Sequence, residues 1–498
     1  MAFESSIEKV GIYKNGCVGE AQVPSNSRMQ IPSGRNLQRI LEILPIVQVK
    51  TIEKVQQNVS FKGEIEYTVT YADANNAIDT FMYVQEYEGN VDVLAESEIM
   101  LRAHVENVHT TFETNSEIGV EATVCVQAMG LVGETISVVT MQDEHCVQQT
   151  KEIQASKVSA TGKDVFRVVG TYDIDSEIQS LVRANAQVVV EGVTSKTDMC
   201  TISGKTVHSI LYVTEESVLQ QAVLEVPFTQ DVPCIGMREE QTLEVYAHVA
   251  HVASKEHVKE TEGTSIEIET EIEVQMCAYE TATVEVVTDM YSTEKELELT
   301  TEACPLQTVE TCAYVTENKT LEIEKEGAYK VLSAEITHVV PVSKNNANKT
   351  NAYKVEVGVR FVCQNEEGLY SVKNTTACVE TTQELFENAS AVIQCEGAVI
   401  DLKDAESVVR VPCVLSYTAQ VVKNQIVTFV SHIEEKDDAV VDDCALCFYM
   451  AGPEQSLFDI AKQLHVKPEV LQEQNPEVPF EEQEAKVITS YQTKQISF

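Results

Sequence analysis

Three short patterns in the sequence have the residue types and spacing of chemical sites. Cys444 and Cys447 are separated by two residues, as in zinc sites and redox-active dithiols. Gly204-Lys205-Thr206 has the last three residues of a phosphate-binding loop. His104 and His248 carry imidazoles that could bind a metal or transfer protons. Each pattern would indicate an enzyme or a metalloprotein if its missing partners were present.

Those partners are missing from the sequence. A structural zinc site needs two more ligands near the cysteine pair, and residue 199, where a phosphate loop has its first glycine, is Met199. His248 and His251 are three residues apart, so on a regular strand they would point to opposite faces. Alternating glutamates could include a hydrolytic pair, but their spacing identifies none. We therefore predict no catalytic residue, no metal ligand and no cofactor.

The elements that carry these residues are repeated along the chain. Residues 37–71 and 178–212 align without a gap at an offset of 141, which places Gly63 on Gly204 and Tyr71 on Tyr212. The shared pattern predicts a short helical turn (36–44 and 176–184), a strand, a second strand, the glycine, and a third strand that alternates strictly after it. A period of two is typical of a strand with one buried face.

The later part of each unit also repeats. His104 falls on His248 at an offset of 144, and a strand follows in which isoleucines alternate with Glu267, Glu269, Glu271 and Glu273. A third copy is weaker: Val355 to Phe361 alternate in the same way, at an offset of 149 from the second copy. Pro412, in a late strand of that copy, predicts an edge strand or a bulge. Repeats of this size indicate duplicated domains.

Composition limits the possible functions. The chain has 498 residues, 79 acidic and 36 basic side chains, and a net charge of −43, which disfavours nucleic acid and membrane surfaces as partners. No apolar run is long enough for a transmembrane helix, and the first residues do not resemble a signal peptide, so we expect a cytoplasmic protein. The 14 cysteines are then expected to be reduced and mostly buried.

The predicted architecture is mainly β, with three tandem sandwich-like or barrel-like domains and a small C-terminal β-α-α-β domain. The predicted ranges are 1–150, 151–295, 296–436 and 445–498. An acidic segment, 434–438 with Asp442 and Asp443, is predicted to separate the third domain from the last.

The C-terminal segment has the pattern of two short helices between two strands. Ser456 is an N-cap candidate, with Leu457, Ile460 and Ala461 following at helical spacing. Pro468 can begin the second helix, and Asn475-Pro476 ends it. These residues resemble the LysM module, in which the loops around the two helices form a groove for N-acetylglucosamine polymers. The resemblance implies a binding surface formed by seven residues: Glu454, Gln455, Ser456, Leu457, Phe458, Asn475 and Pro476. The segment departs from LysM where that module has Gly-Asp-Thr before the first helical leucine, because Glu454-Gln455-Ser456 stands there.

The repeats resemble the SPOCS domain (DUF3794), chiefly in Ile40-Leu41, in 63–71 and in their partners in the second copy. SPOCS repeats before a LysM module resemble the SipL family of clostridial spore-coat morphogenetic proteins. The resemblance implies a non-enzymatic scaffold at the forespore surface, in the mother-cell cytoplasm, whose LysM-like domain docks onto a SpoIVA-like ATPase of the coat basement layer. Two alternatives remain open: a protein that binds glycans of peptidoglycan or cortex, and a hydrolase of spore polymers.

Overall fold

The computed structural model describes residues 5–32, 37–93, 99–114, 116–141, 145–174, 177–258, 263–344, 353–380, 390–438, 446–480 and 486–490. In this part of the chain nearly all regular structure is antiparallel strand, with two short helices near the C-terminus. The prediction of a mainly β fold is confirmed. No helix among the described residues is both long and apolar enough to cross a membrane.

The first copy has six strands in two three-stranded sheets. Its strands are β1 (Ser5–Gln30), β2 (Leu37–Val55), β3 (Asn58–Asp73), β4 (Ile78–Asp92), β5 (Ile99–Glu113) and β6 (Glu117–Met141). One sheet has the order β1-β6-β5 and the other β2-β3-β4. The two sheets bury one apolar core between them, to which Met29, Phe61, Tyr67 and Val124 contribute side chains that are essentially inaccessible to solvent.

The second copy repeats this topology. Its strands are β7 (Cys146–Ile174), β8 (Ile178–Lys196), β9 (Met199–Thr214), β10 (Leu219–Pro233), β11 (Thr242–Val258) and β12 (Thr264–Ser292). Their sheet orders, β7-β12-β11 and β8-β9-β10, match those of the first copy strand for strand. On β12, Ile266, Ile268 and Ile272 are fully buried while the glutamates between them lie on the opposite face, as the alternation predicts.

The third copy has the same six strands and a short additional one. They are β13 (Lys295–Glu324), β14 (Tyr329–Lys344), β15 (Tyr353–Asn365), β16 (Tyr370–Glu380), β17 (Ser390–Val399), β18 (Lys403–Asp404) and β19 (Val408–Asp438). The sheet orders are β13-β19-β17, with β18 paired to β19, and β14-β15-β16. The acidic segment 434–438, predicted to be a separator, is the end of β19, where Glu434 pairs with Glu298 of β13.

The predicted helical turns at 36–44 and 176–184 are wrong. Leu37–Leu44 lies in β2 and Ile178–Ala184 in β8; residues 36 and 176 are outside the described residues. Each strand has bulges in its pairing, after residues 37, 40 and 49 in β2 and after 178, 181 and 190 in β8. A bulge adds one residue to the alternation, so apolar residues recur at intervals of three and four. That spacing imitates a helix.

Two predictions about the third copy also need correction. Ala72, Val213 and Gln364 occupy equivalent positions, because they pair with Ile78, Leu219 and Tyr370 across the same turn. The offset from the second to the third copy is therefore 151 in β15, and the predicted offset of 149 was wrong by two residues, a shift that preserves the faces. Pro412 does not lie on an edge strand: β19 is central, and Pro412 lies where its partner changes from β17 to β18.

The three copies close into a ring around a pseudo-threefold axis. The contacts join the sheets β2-β3-β4, β8-β9-β10 and β14-β15-β16. The last strand of each sheet contacts the first strand of the corresponding sheet in the next copy: β4 contacts β8, β10 contacts β14, and β16 contacts β2. At the centre, the bulged residues Leu41, Val182 and Leu332 share one apolar cluster. At the other end, β6, β12 and β19 contact one another pairwise, with Val139 and Val430 in a shared cluster.

A buried ion-pair network lies beside the central cluster. The Arg183 guanidinium contacts Glu42 at 3.3 Å and Glu335 at 2.9 Å, so it joins all three copies. Arg360 contacts Glu42 at 3.5 Å. Burial raises the pKa of Glu42 to about 7, with the Arg183 charge opposing this rise and the Glu335 charge adding to it. Charged side chains of all three copies are therefore in direct contact at this place.

The C-terminal segment forms a small separate unit. Its elements are β20 (Cys447–Ala451), α1 (Leu457–Gln463), α2 (Pro468–Gln474) and β21 (Lys486–Ser490), and β20 pairs antiparallel with β21. Ile460, Ala461, Leu471 and Ile488 are fully buried and form its core.

Candidate functional site

The first helix of the C-terminal unit begins at a complete capping box. The Ser456 hydroxyl accepts a hydrogen bond from the backbone N–H of Asp459, and the Asp459 carboxylate accepts one from the backbone N–H of Ser456. These bonds satisfy backbone donors that a seven-residue helix would otherwise leave free. They also fix the loop in which the predicted binding residues lie.

The seven predicted binding residues do not form one accessible surface. Glu454, Ser456 and Pro476 are exposed, Gln455 and Leu457 are half-buried, and Phe458 and Asn475 face other parts of the protein. The Gln455 side chain donates to the Tyr449 hydroxyl at 2.9 Å and accepts from the backbone N–H of Gly452 at 2.8 Å. It therefore holds β20 against the start of α1. Whether these residues bind a ligand stays a prediction.

Asn475 has a structural position. Its side-chain amide donates to the backbone carbonyls of Leu471 and Thr489, at 2.8 and 2.7 Å. Its carbonyl oxygen accepts from the backbone N–H and the hydroxyl of Thr489, both at 2.8 Å. One asparagine thus ends α2 and covers the edge of β21. The sequence indicates the end of the helix but not these bonds to β21.

The C-terminal unit is fixed to the second copy, at the end of β12. The rings of Phe458 and Tyr291 meet edge to face at a centroid distance of 5.3 Å, and the Tyr291 hydroxyl donates to the backbone carbonyl of Val466 at 2.7 Å. Lys462 forms an ion pair with Asp289 at 2.5 Å. Phe458 is therefore largely engaged within the chain. The sequence could not show this contact, because it joins residues far apart along the chain.

The outer face of the β20–β21 sheet is apolar and exposed. Phe448, Met450 and Val487 lie on this face with 67%, 80% and 59% of their surface exposed, and Met450 pairs directly with Val487. The inner residues Tyr449 and Ile488 face the helices. We call the three exposed side chains the apolar sheet face. Alternation around Tyr449 is visible in the sequence, but it does not tell which face is covered.

The phosphate-loop candidate lies in a structural position. Gly204-Lys205-Thr206 is inside β9, where Thr206 is fully buried and Lys205 pairs with Glu225 at 2.9 Å. A backbone carbonyl, that of Val189, occupies the space beside Gly204. The segment therefore has strand geometry, and its backbone amides are not arranged as a phosphate cradle.

The prediction that His248 and His251 point to opposite faces is wrong. β11 has a bulge at Ala250, so His248 pairs with Glu273 and His251 with Glu271, two residues apart on β12. Both side chains consequently lie on the same face of the sheet. His251 contacts Glu66 of the first copy at 3.5 Å. Of the cysteine pair, Cys447 is exposed on β20, and Cys444 lies outside the described residues.

A cavity of about 310 Å³ lies between the second and third copies and is lined by His248, His338, Cys395 and Glu396, among others. Among the described residues no hydrogen bond joins these four side chains to one another; His338 instead contacts Glu356 at 3.7 Å. A nucleophile needs a base within hydrogen-bonding distance to be activated. The titratable side chains that line this cavity therefore do not form a pair of nucleophile and base.

No family model, no curated protein and no solved structure matches this chain.

Proposed function

We propose that the protein is a non-enzymatic scaffold of spore-coat assembly whose C-terminal unit docks onto a protein of the coat basement layer, a SpoIVA-like ATPase. The observation that carries the docking role is the apolar sheet face of β20 and β21. The partner and the setting follow from the resemblance of the repeats to SPOCS domains and of the C-terminal unit to LysM.

The apolar sheet face has the character of a protein contact. Three large apolar side chains lie side by side on a chain with a net charge of −43, where a lone exposed residue would need no explanation but a cluster does. Phe448 and Met450 also belong to the residue types enriched in interface cores.

The attachment of the unit to the second copy supports a scaffold. Phe458, Lys462 and the Val466 carbonyl all contact the end of β12, so the apolar sheet face is presented in a fixed orientation. A fixed orientation lowers the entropy lost on binding. The ring of three copies supplies a body whose outer faces remain available to other coat proteins.

Capture of the purified basement-layer ATPase by the purified full chain tests the proposal. The double variant Phe448→Asp/Met450→Asp should weaken capture at least tenfold, since burying unpaired carboxylates at an interface opposes binding. Ile235→Asp is the matched control: Ile235 is 84% exposed on the second copy, and its replacement should leave capture unchanged.

Deletion of residues 445–498 should abolish capture. Equal capture by the full chain, the double variant and the deletion would exclude docking through this unit. Sedimentation with purified peptidoglycan or cortex addresses the glycan-binding alternative; co-sedimentation that is lost on changing Glu454 or Pro476, while ATPase capture is absent, would favour glycan over protein as the ligand.

A further inference from the structure

A thiol, an imidazole and a carboxylate converge on the outer face of the β1-β6-β5 sheet. His104 of β5 pairs directly with Cys125 of β6, and Glu106 lies two residues further along β5. The ligand atoms of the three side chains lie within 4.8 Å of one another. Among the described residues this is the one group of three or more such side chains with that spacing.

The cluster has a buried ligand beneath exposed ones. Cys125 is 1% exposed, whereas His104 and Glu106 are exposed to solvent. A fourth side chain, Glu20 of β1, accepts a hydrogen bond from the Cys125 thiol at 3.2 Å. Neither Glu20 nor Glu106 forms an ion pair within the described residues. The carboxylates of Glu20 and Glu106 therefore lie near the Cys125 thiol, and no lysine or arginine among the described residues pairs with either of them.

The second copy shows how the same place is filled by a cation of the protein itself. Its equivalent strands put His248, Glu273 and Lys163 where the first copy has His104, Cys125 and Glu20. The Lys163 ammonium contacts Glu273 at 2.9 Å. The bulged residue after the histidine is Ala250 there and Glu106 in the first copy. One copy thus has a built-in cation, and the other has only potential ligands for one.

We infer that Cys125, His104 and Glu106 bind a divalent transition-metal ion of the Zn²⁺ type on the outer face of the first copy, with Glu20 accepting the thiol proton. Thiolate, imidazole and carboxylate are the ligands that zinc uses, in tetrahedral sites with ligand atoms about 3.3–3.8 Å apart. The inference requires the exposed side chains of His104 and Glu106 to move closer to the Cys125 sulfur when the ion binds.

Metal binding at this place requires loss of the thiol proton. The Cys125 thiol donates to the Glu20 carboxylate at 3.2 Å, so an acceptor for this proton is already in contact with it. On binding, the S–H bond breaks, the sulfur forms a bond to the metal ion, and the proton passes to the Glu20 carboxylate and then to solvent. Affinity should therefore rise with pH.

Titration of the full chain with Co²⁺ as the probe, followed by displacement with Zn²⁺, tests the inference. The wild-type chain should give a thiolate-to-cobalt charge-transfer absorption with a stoichiometry of one that Zn²⁺ abolishes. Cys125→Ser should remove this absorption. Glu106→Gln should lower the affinity by more than about 100-fold, because loss of even an outer partner costs about 10–100-fold. Glu106 is exposed, so this variant does not depend on repacking of the core.

Cys378→Ser and His248→Gln are the matched controls. Cys378 is an exposed thiol on β16, and His248 is the equivalent histidine of the second copy. Both variants should keep the wild-type absorption and affinity. A wild-type chain that gives no thiolate absorption, or a Cys125→Ser chain that keeps it, would overturn the inference.

Discussion

The first and second copies share their backbone register but not their charges. The bulges of β2 recur in β8 at a constant distance of 141 residues, and the first of the two bulges in β5, after Val105, recurs in β11 after Val249. Yet the position of Glu42 is Arg183 in the second copy. The two copies therefore share the bulges that shape their strands, whereas side chains that contact other copies differ in charge.

The central network shows why the difference matters. Identical charges at equivalent positions around a threefold axis would repel one another, while Glu42 and Arg183 attract. The third copy contributes Glu335 from a neighbouring position of β14, and Arg183 lies between the two carboxylates. Arg183 therefore makes attractive contacts with both other copies, which identical charges at the three equivalent positions could not make.

Removal of the central guanidinium should have the largest effect. Arg183→Ala leaves Glu335 and Glu42 buried, with Arg360 as the one remaining cation in contact with Glu42 among the described residues, and breaking a buried pair in this way costs about 3–5 kcal/mol. The free energy of unfolding, measured by urea denaturation, should fall by that amount. Arg167→Ala removes an exposed arginine that also bridges two glutamates of β12, and its loss should stay under about 1 kcal/mol. Similar losses for both variants would contradict a special role for the centre.

The acid–base behaviour of Glu42 gives a second test. Since the pKa of Glu42 is about 7 in the folded chain and about 4.5 when unfolded, the folded state binds the proton more tightly. Stability should decrease as the pH rises from 4.5 to 7, by at most about 3 kcal/mol at about 1.36 kcal/mol per pKa unit. Glu42→Gln should remove this decrease from a thermal-unfolding profile recorded against pH.

Glu335 provides the contrast within the same network. Burial favours its neutral form, but the charge of Arg183 and hydrogen bonds from its neighbours leave the pKa of Glu335 below the ordinary value. Its contribution to stability is therefore present above pH 4.5 and is lost as the pH falls below it. Glu335→Gln should remove this acidic loss of stability. Because the Glu335 charge adds to the rise of the Glu42 pKa, the variant should also reduce the decline between pH 4.5 and 7. A Glu42→Gln profile that still declines between pH 4.5 and 7 would assign that decline to another group.

The aligned glycines should tolerate substitution poorly. A Cβ on Gly63 would lie 2.2 Å from the Gln48 carbonyl oxygen, and one on Gly204 lies equally close to that of Val189. Alanine at either place should cost about 1–3 kcal/mol, as overpacking of a core does. Gly452→Ala is the control, because an added Cβ there would meet only Gln455 Oε1, at an ordinary contact distance of 3.9 Å. The equivalent residue of the third copy is Val355, so its strands accommodate a larger side chain at this position. If Gly63→Ala left the free energy of unfolding unchanged, the strands of the first copy would be able to accommodate one as well.

These glycines and bulges also mark the limit of what the sequence could predict. The alternation of apolar and polar residues predicts the strands after Gly63 and Gly204, and with them the mainly β fold, because both copies keep this period of two. The bulges were misread as helical turns, since an added residue changes the period locally. The metal-type cluster was missed because His104 and Cys125 lie on different strands and meet only through pairing. The position of Phe458 against Tyr291 is likewise set by packing between distant parts of the chain.

The smallest change in stability should come from giving the first copy the cation of the second. Glu20 is exposed, so Glu20→Lys should alter the free energy of unfolding by less than about 1 kcal/mol. The new ammonium would lie beside Cys125 and Glu106 as Lys163 lies beside Glu273, and it would repel a divalent ion. Cobalt affinity should therefore fall by more than about 100-fold while urea unfolding barely changes. If affinity persisted in Glu20→Lys, a cation at this strand position would not exclude a metal ion, and the two copies would differ here in charge alone.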